Sequence, residues 1–162
     1  ISPIVLTRVA NHPIHPNNAR TTLALSKLSF IISSICVLLL YLIPTQVFEF
    51  VLGKDFSQTK NIMLLLSPGV LCISFSTIQS HYFSALGKQT ILLLANSCGF
   101  VSTLLTAWFF IKRYGIYGAC YSASLSYFVQ ALVLFVSFKT KNKFSIIEFF
   151  SLKSDLDFFA KQ

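Results

Sequence analysis

The 162 residues are 54% hydrophobic and 11% charged, with a mean hydropathy of +0.71 and a formal net charge of +8. A charged share so far below the roughly 25% of soluble domains excludes an ordinary water-soluble enzyme or binding module. The surplus of 13 basic over 5 acidic residues suits anionic lipid headgroups and calls for no nucleic acid.

Along the chain, ISPIVLTRVA at the start has the character of an apolar segment running into a loop, as expected for a piece of a longer protein. It lacks the basic leader and long apolar core of a secretory signal. NHPIHPNN follows, and its His12 and His15 have no third ligand beside them, so it is taken as a polar loop. Residues 1–27 are thus expected to be a cytoplasmic loop and the end of a preceding span.

Asp, Glu, Lys and Arg are then missing from Leu28 to Phe48, Asn61 to Gly87, Gln89 to Ile111 and Tyr114 to Phe138, windows of 21, 27, 23 and 25 residues. About 20 apolar residues, each rising about 1.5 Å, cross a hydrocarbon core about 30 Å thick. Four spans are therefore expected, at about 28–48, 61–84, 89–111 and 115–138. The windows show no period-two alternation, which excludes a barrel, so the fold class is all-α, a polytopic transmembrane helix bundle in up-down order. The connections GKDFSQTK, ALGKQ and KRYG are short, polar and marked by glycine, as antiparallel neighbours require. Residues 139–162 form a basic cytoplasmic tail. There Phe149, Leu152, Leu156 and Phe159 share a helical face, with Ser145 and Glu148 at capping-box spacing, which suits an interfacial helix or a plain tail.

Four spans put both ends of this stretch on one side with the second connection. That side carries Arg8, Arg20, Lys27, Lys88, Lys139, Lys141, Lys143, Lys153 and Lys161, against Lys54, Lys60, Lys112 and Arg113 opposite. The positive-inside rule then makes both ends cytoplasmic and turns KRYG outward. Lys112 and Arg113 are either interfacial anchors or contacts for an anionic ligand.

Within the spans, polar and small residues fall in stripes. One holds Ser67, Ser74, Thr77, His81 and Ser84; the next Asn96, Gly99, Thr103 and Thr106; the last Gly115, Ala119, Ser122, Ser126 and Gln130. Close helix packing explains the small residues. His81, Asn96 and Gln130 are larger and lie at similar depth, about 10 Å from the cytoplasmic end at 1.5 Å per residue. They mark one wall, either of a water-filled cavity or of interhelical hydrogen bonds. Pro68 and Gly69, in LLLSPGVL, predict a kink, either a working hinge or a fixed bend. Cys36, Cys72, Cys98 and Cys120 sit in four different spans and suit packing. The five acids lie outside the spans, no GxSxG, P-loop or HExxH occurs, and neither an enzyme, a metal site nor a cofactor is expected.

The run from FEFVLGKDFSQTK through LLLSPGVL, FSALGK and RYGIYGACYSASLSY to FVQALVLF resembles the C-terminal part of bacterial polysaccharide-biosynthesis flippases, the O-antigen and capsule repeat-unit exporters. The likeness covers most of Leu28 to Phe138 and rests on the order of the segments. It implies an exporter fold of the multidrug/oligosaccharidyl-lipid/polysaccharide superfamily, about a dozen helices in two bundles, with the last four here. It also implies an inner-membrane protein that turns undecaprenyl-diphosphate-linked oligosaccharide between leaflets, alongside membrane lipids and the polysaccharide polymerase and chain-length proteins. Thr103, Ser122, Ser126 and the three larger residues above would then meet sugar hydroxyls, and Arg20, Lys88, Lys112 and Arg113 phosphate at the two mouths. The family's charged cavity residues lie largely in the missing helices. A cation-coupled multidrug antiporter of the same superfamily, and a non-transporting scaffold of polysaccharide assembly, remain as alternatives. His81 is the one ionisable side chain in the spans besides the cysteines and tyrosines, which disfavours the antiporter.

Overall fold

The computed structural model describes residues 18–53 and 58–142. The histidines of NHPIHPNN, Lys54 and the tail stripe around Phe149 lie outside them. Five helices follow in order: α1 (Asn18–Leu42), α2 (Thr45–Leu52), α3 (Thr59–Ala85), α4 (Gln89–Tyr114) and α5 (Ile116–Asn142), with no strand among the described residues. All but α2 are long and apolar enough to cross a membrane. The chain is a multi-pass membrane protein built as an all-α, four-span bundle.

Three of the spans match the charge-free windows, and the first does not. The described part of helix α1 runs from Asn18, well before Leu28, and stops at Leu42. Along it the Thr22 and Ser26 hydroxyls return to the Asn18 and Thr22 carbonyls at 2.7 and 2.9 Å, and the helix carries Arg20 and Lys27 beyond the apolar stretch. Its stop follows from Pro44, which cannot continue it and instead precedes the separate short helix α2. Gly53, at φ +101°, then ends α2 in a conformation that a side chain would strain.

Directions alternate as expected, but the order across the layer is α1, α3, α5, α4: the main packing is α1 on α3, α3 on α5 and α5 on α4, while α3 and α4, neighbours in sequence, scarcely touch. Two glycines account for the insertion of α5. A Cβ on Gly69 of α3 would stand 2.8 Å from the Ser124 Cα of α5, and one on Gly99 of α4 would stand 3.4 Å from Ser126 Oγ. Alternate serines of α5 thus meet different partners, each at a residue small enough to admit close contact. The α4–α5 turn is tighter still, a single residue, Gly115, at φ +56° with its N–H on the Ile111 carbonyl at 2.9 Å.

Burial concentrates at one end of the layer. There Ala19 and Leu23, Ile78, Tyr82 and Phe83, Ala95, and Leu134 and Phe138 draw all four spans into one core. The Phe138 ring meets Tyr82 and Phe83 edge-on, with centroids at 5.2 and 6.3 Å, a preferred aromatic geometry. This end, called the core end, also carries Arg20, Lys88, Lys139 and Lys141. The opposite, aromatic end carries Tyr41, Lys60, Trp108, Lys112, Arg113, Tyr114 and Tyr117. Of the sets separated on sequence grounds, Arg20, Lys88, Lys139 and Lys141 thus lie at one end and Lys60, Lys112 and Arg113 at the other, with Lys27 farther along α1.

Candidate functional site

Helix α3 keeps its helical course through Pro68 because a nearby hydroxyl replaces the donor that proline removes. The Leu64 carbonyl, deprived of its partner at position 68, receives the Ser67 hydroxyl at 2.7 Å, and the next carbonyl, Leu65, receives Ser124 Oγ from α5 at 3.3 Å. In lipid such backbone groups need partners, and serine is the usual substitute. Gly69 is the point of closest approach to α5. The expected hinge residues thus sit inside an intimate helix contact.

Besides Ser124, uncharged polar residues bond between helices at two further seams. Between α4 and α5, the Gly99 carbonyl accepts both Thr103 Oγ1 at 3.0 Å and Ser126 Oγ at 2.9 Å. One turn toward the core end, Gln130 Nε2 donates to Asn96 Oδ1 across the same seam. Ser122 is buried a turn away and bonds to its own helix at Ala119 O. Between α1 and α3, Ser29 and Ser33 reach Ser74 O and Oγ at 3.2 and 2.8 Å. His81 is half-buried and lies two turns below Ser74 on the same helical face, toward α1. Asn96, Thr103, Ser126 and Gln130 are therefore brought together, and His81 is set apart from them. Equal depth does not make one wall here, because α5 stands between α3 and α4.

The cations also separate. At the core end Lys88 and Lys141 come together, with Lys141 Nζ 5.8 Å from the Phe83 ring centroid; Arg20 is exposed on the first turn of α1 at the same end. At the aromatic end the adjacent Lys112 and Arg113 point to different surroundings. Lys112 Nζ lies 4.2 Å from the centroid of Trp108, a ring 73% exposed on the outer face of α4, the pairing of an interfacial anchor. The Arg113 guanidinium lies 5.7 Å from the Tyr114 ring. That ring borders a cavity.

The cavity measures about 690 Å³ and is lined by Asn61, Leu65, Phe110, Tyr114, Tyr117 and Tyr121. Phe110, Tyr114 and Tyr121 approach one another pairwise with centroids at 6.3–6.4 Å, and the Tyr117 hydroxyl meets Gln58 Oε1 at 3.4 Å. A second hollow of about 380 Å³ adjoins it, sharing Leu65 and Tyr121 and continuing past Pro68 along Leu64, Cys72, Leu125 and Phe128. Sequence reasoning passed over these tyrosines: Tyr117 and Tyr121 stand four apart on one face of α5, and Tyr114 joins them from the end of α4 only because the chain turns at Gly115. It also passed over Gln79, fully buried in α3 with neither amide atom hydrogen-bonded. A single glutamine among serines and threonines gives no periodic signal.

Among the described residues no group of three or more His, Cys, Asp and Glu side chains stands close enough to hold a metal ion. No family model, curated protein or solved structure matches the chain significantly.

Proposed function

We propose that this chain is the C-terminal part of a bacterial inner-membrane exporter that carries undecaprenyl-diphosphate-linked oligosaccharide units from the cytoplasmic to the outer leaflet for surface polysaccharide assembly. The observation that carries the reading is the ordered set of exporter-like segments. LLLSPGVL forms the proline turn of α3, FSALGK its end, and RYGIYGACYSASLSY the α4–α5 turn. The chemistry supports it. A diphosphate-sugar headgroup crossing about 30 Å of hydrocarbon needs hydroxyl and amide partners along the way and cations at the ends, and the α4–α5 seam and the two cationic ends supply those types. In this reading the aromatic end faces outward and the core end the cytoplasm. Membrane lipids and the polymerase and chain-length proteins are its neighbours.

The test is reconstitution of the intact protein in liposomes holding a fluorescent lipid-linked oligosaccharide, with a membrane-impermeant quencher outside. The protein should let the quencher reach the inner-leaflet pool. A pool that stays protected at every protein density would overturn the reading.

A further inference from the structure

A sugar ring offers two kinds of surface, a face of C–H groups and a rim of hydroxyls. Aromatic faces take the first by dispersion, and phenol hydroxyls and amides take the second. The larger cavity at the aromatic end holds both, four aromatic rings with three hydroxyls and the Asn61 amide among them. Its volume of about 690 Å³ falls within the roughly 300–1,000 Å³ of small-molecule sites. Interfacial anchor rings point outward one by one, as Trp108 does; Phe110, Tyr114 and Tyr121 instead converge, centroids 6.3–6.4 Å apart, on a shared hollow. The adjoining hollow past Pro68 is walled mainly by Leu64, Cys72, Leu125 and Phe128, a surface for hydrocarbon. The Arg113 guanidinium, 5.7 Å from the Tyr114 ring, places one cation beside that ring. Aromatic cup and apolar groove adjoin each other, as the sugar and the chain of a glycosylated lipid do.

We propose that these joined hollows form a subsite for a glycosylated amphiphile, one sugar ring against Tyr114 and Tyr121 and the hydrocarbon chain in the groove beside Pro68. The subsite lies at the aromatic end, away from the Asn96–Gln130 pair. It deepens the exporter reading, on which it rests, by giving the outer end of the path a place where the carried lipid pauses before release.

The test uses the intact protein in lipid nanodiscs and dodecyl maltoside bearing a diazirine on its sugar, below micellar concentration, with labelled peptides mapped by mass spectrometry. Label should fall within residues 110–121. Excess unlabelled dodecyl maltoside should abolish it, methyl maltoside should compete only weakly, and dodecylphosphocholine should not compete. Tyr114→Leu with Tyr121→Leu should weaken labelling about tenfold, the factor that loss of about 1.4 kcal/mol of ring contact gives. Tyr121→Phe keeps the ring and should retain most of it, so a misfolded double variant cannot imitate the result. Equal competition by dodecylphosphocholine would reduce the hollows to a lipid groove, and equal competition by methyl maltoside would remove the chain from the site. Absence of label from 110–121, or unchanged label in the double leucine variant, would overturn the subsite. Labelling is read without transport: a protein that labels as expected yet exposes no lipid-linked sugar refutes the exporter alone, and one that exposes it without labelling refutes the subsite alone.

Discussion

Ser67 is the residue that makes Pro68 tolerable in the bilayer, since its hydroxyl occupies the carbonyl that proline leaves open. Ser67→Ala should therefore destabilise the protein by about 1 kcal/mol, the scale of hydrogen bonds between membrane helices. In a Pro68→Ala background, where the new N–H serves Leu64, the same change should cost almost nothing. Thermal unfolding of the four members of this double-mutant cycle in nanodiscs checks it, and additive losses would mean the serine acts elsewhere. If the proline is a working joint, Pro68→Ala should also lower export per molecule at unchanged membrane abundance. At the next position, Gly69→Ala pushes a methyl toward the Ser124 backbone and should cost about 1–3 kcal/mol, the range for overpacking. Gln79 presents the opposite case. Both of its amide atoms are buried without hydrogen bonds, a burden of about 1–3 kcal/mol that an apolar side chain of similar shape would remove. Gln79→Leu should raise the unfolding temperature, and a fall would show that the amide has a partner in the working protein.

At the scale of elements, the spans were legible because lipid forbids both charges and unpaired backbone, so their edges appear as charges in the sequence. The first span escaped that logic at both ends. Charge does not stop a helix outside the hydrocarbon, so α1 takes in Arg20 and Lys27, and Pro44 breaks a window that contains no charge at all. The seam residues were legible as stripes of one helix, but not their partners, because periodicity names a face and never the helix that meets it. His81 is the instance: its stripe was visible, its turn toward α1 was not. The α4–α5 turn shows the same limit for charge, since Lys112 and Arg113 are equivalent in sequence but have different neighbours in space. Lys112→Gln should lower membrane abundance and leave flux per molecule unchanged, because Trp108 and Lys112 act as an interfacial pair. Arg113→Gln should do the reverse. Immunoblotting of membranes alongside normalised export separates these outcomes, and identical phenotypes would contradict the division.

For the whole molecule, the ends of the layer provide the test of orientation. In a chain whose four cysteines are replaced by alanine, Gln46→Cys at the aromatic end should react with an impermeant maleimide added to intact cells, and Thr90→Cys at the core end should react only after permeabilisation. The inverse pattern would turn the molecule over in the membrane and exchange its entry and exit. The spatial order α1, α3, α5, α4 also bears on how the protein is made. Helix α3 is synthesised well before α5, yet it finds there, and not in α4, the serine for its Leu65 carbonyl and the backbone that fits against Gly69. During that interval it must reside in the bilayer, or beside the insertion machinery, with that face incomplete. The Ser67 bond, made within α3 itself, closes the proline gap without waiting for any partner. The α4–α5 hairpin, joined by one residue, then arrives as a unit. Chain release before α5 would thus strand a helix whose proline gap at Leu64 is already closed but whose Gly69 face is still bare, and quality control of membrane insertion would find its signal at that turn.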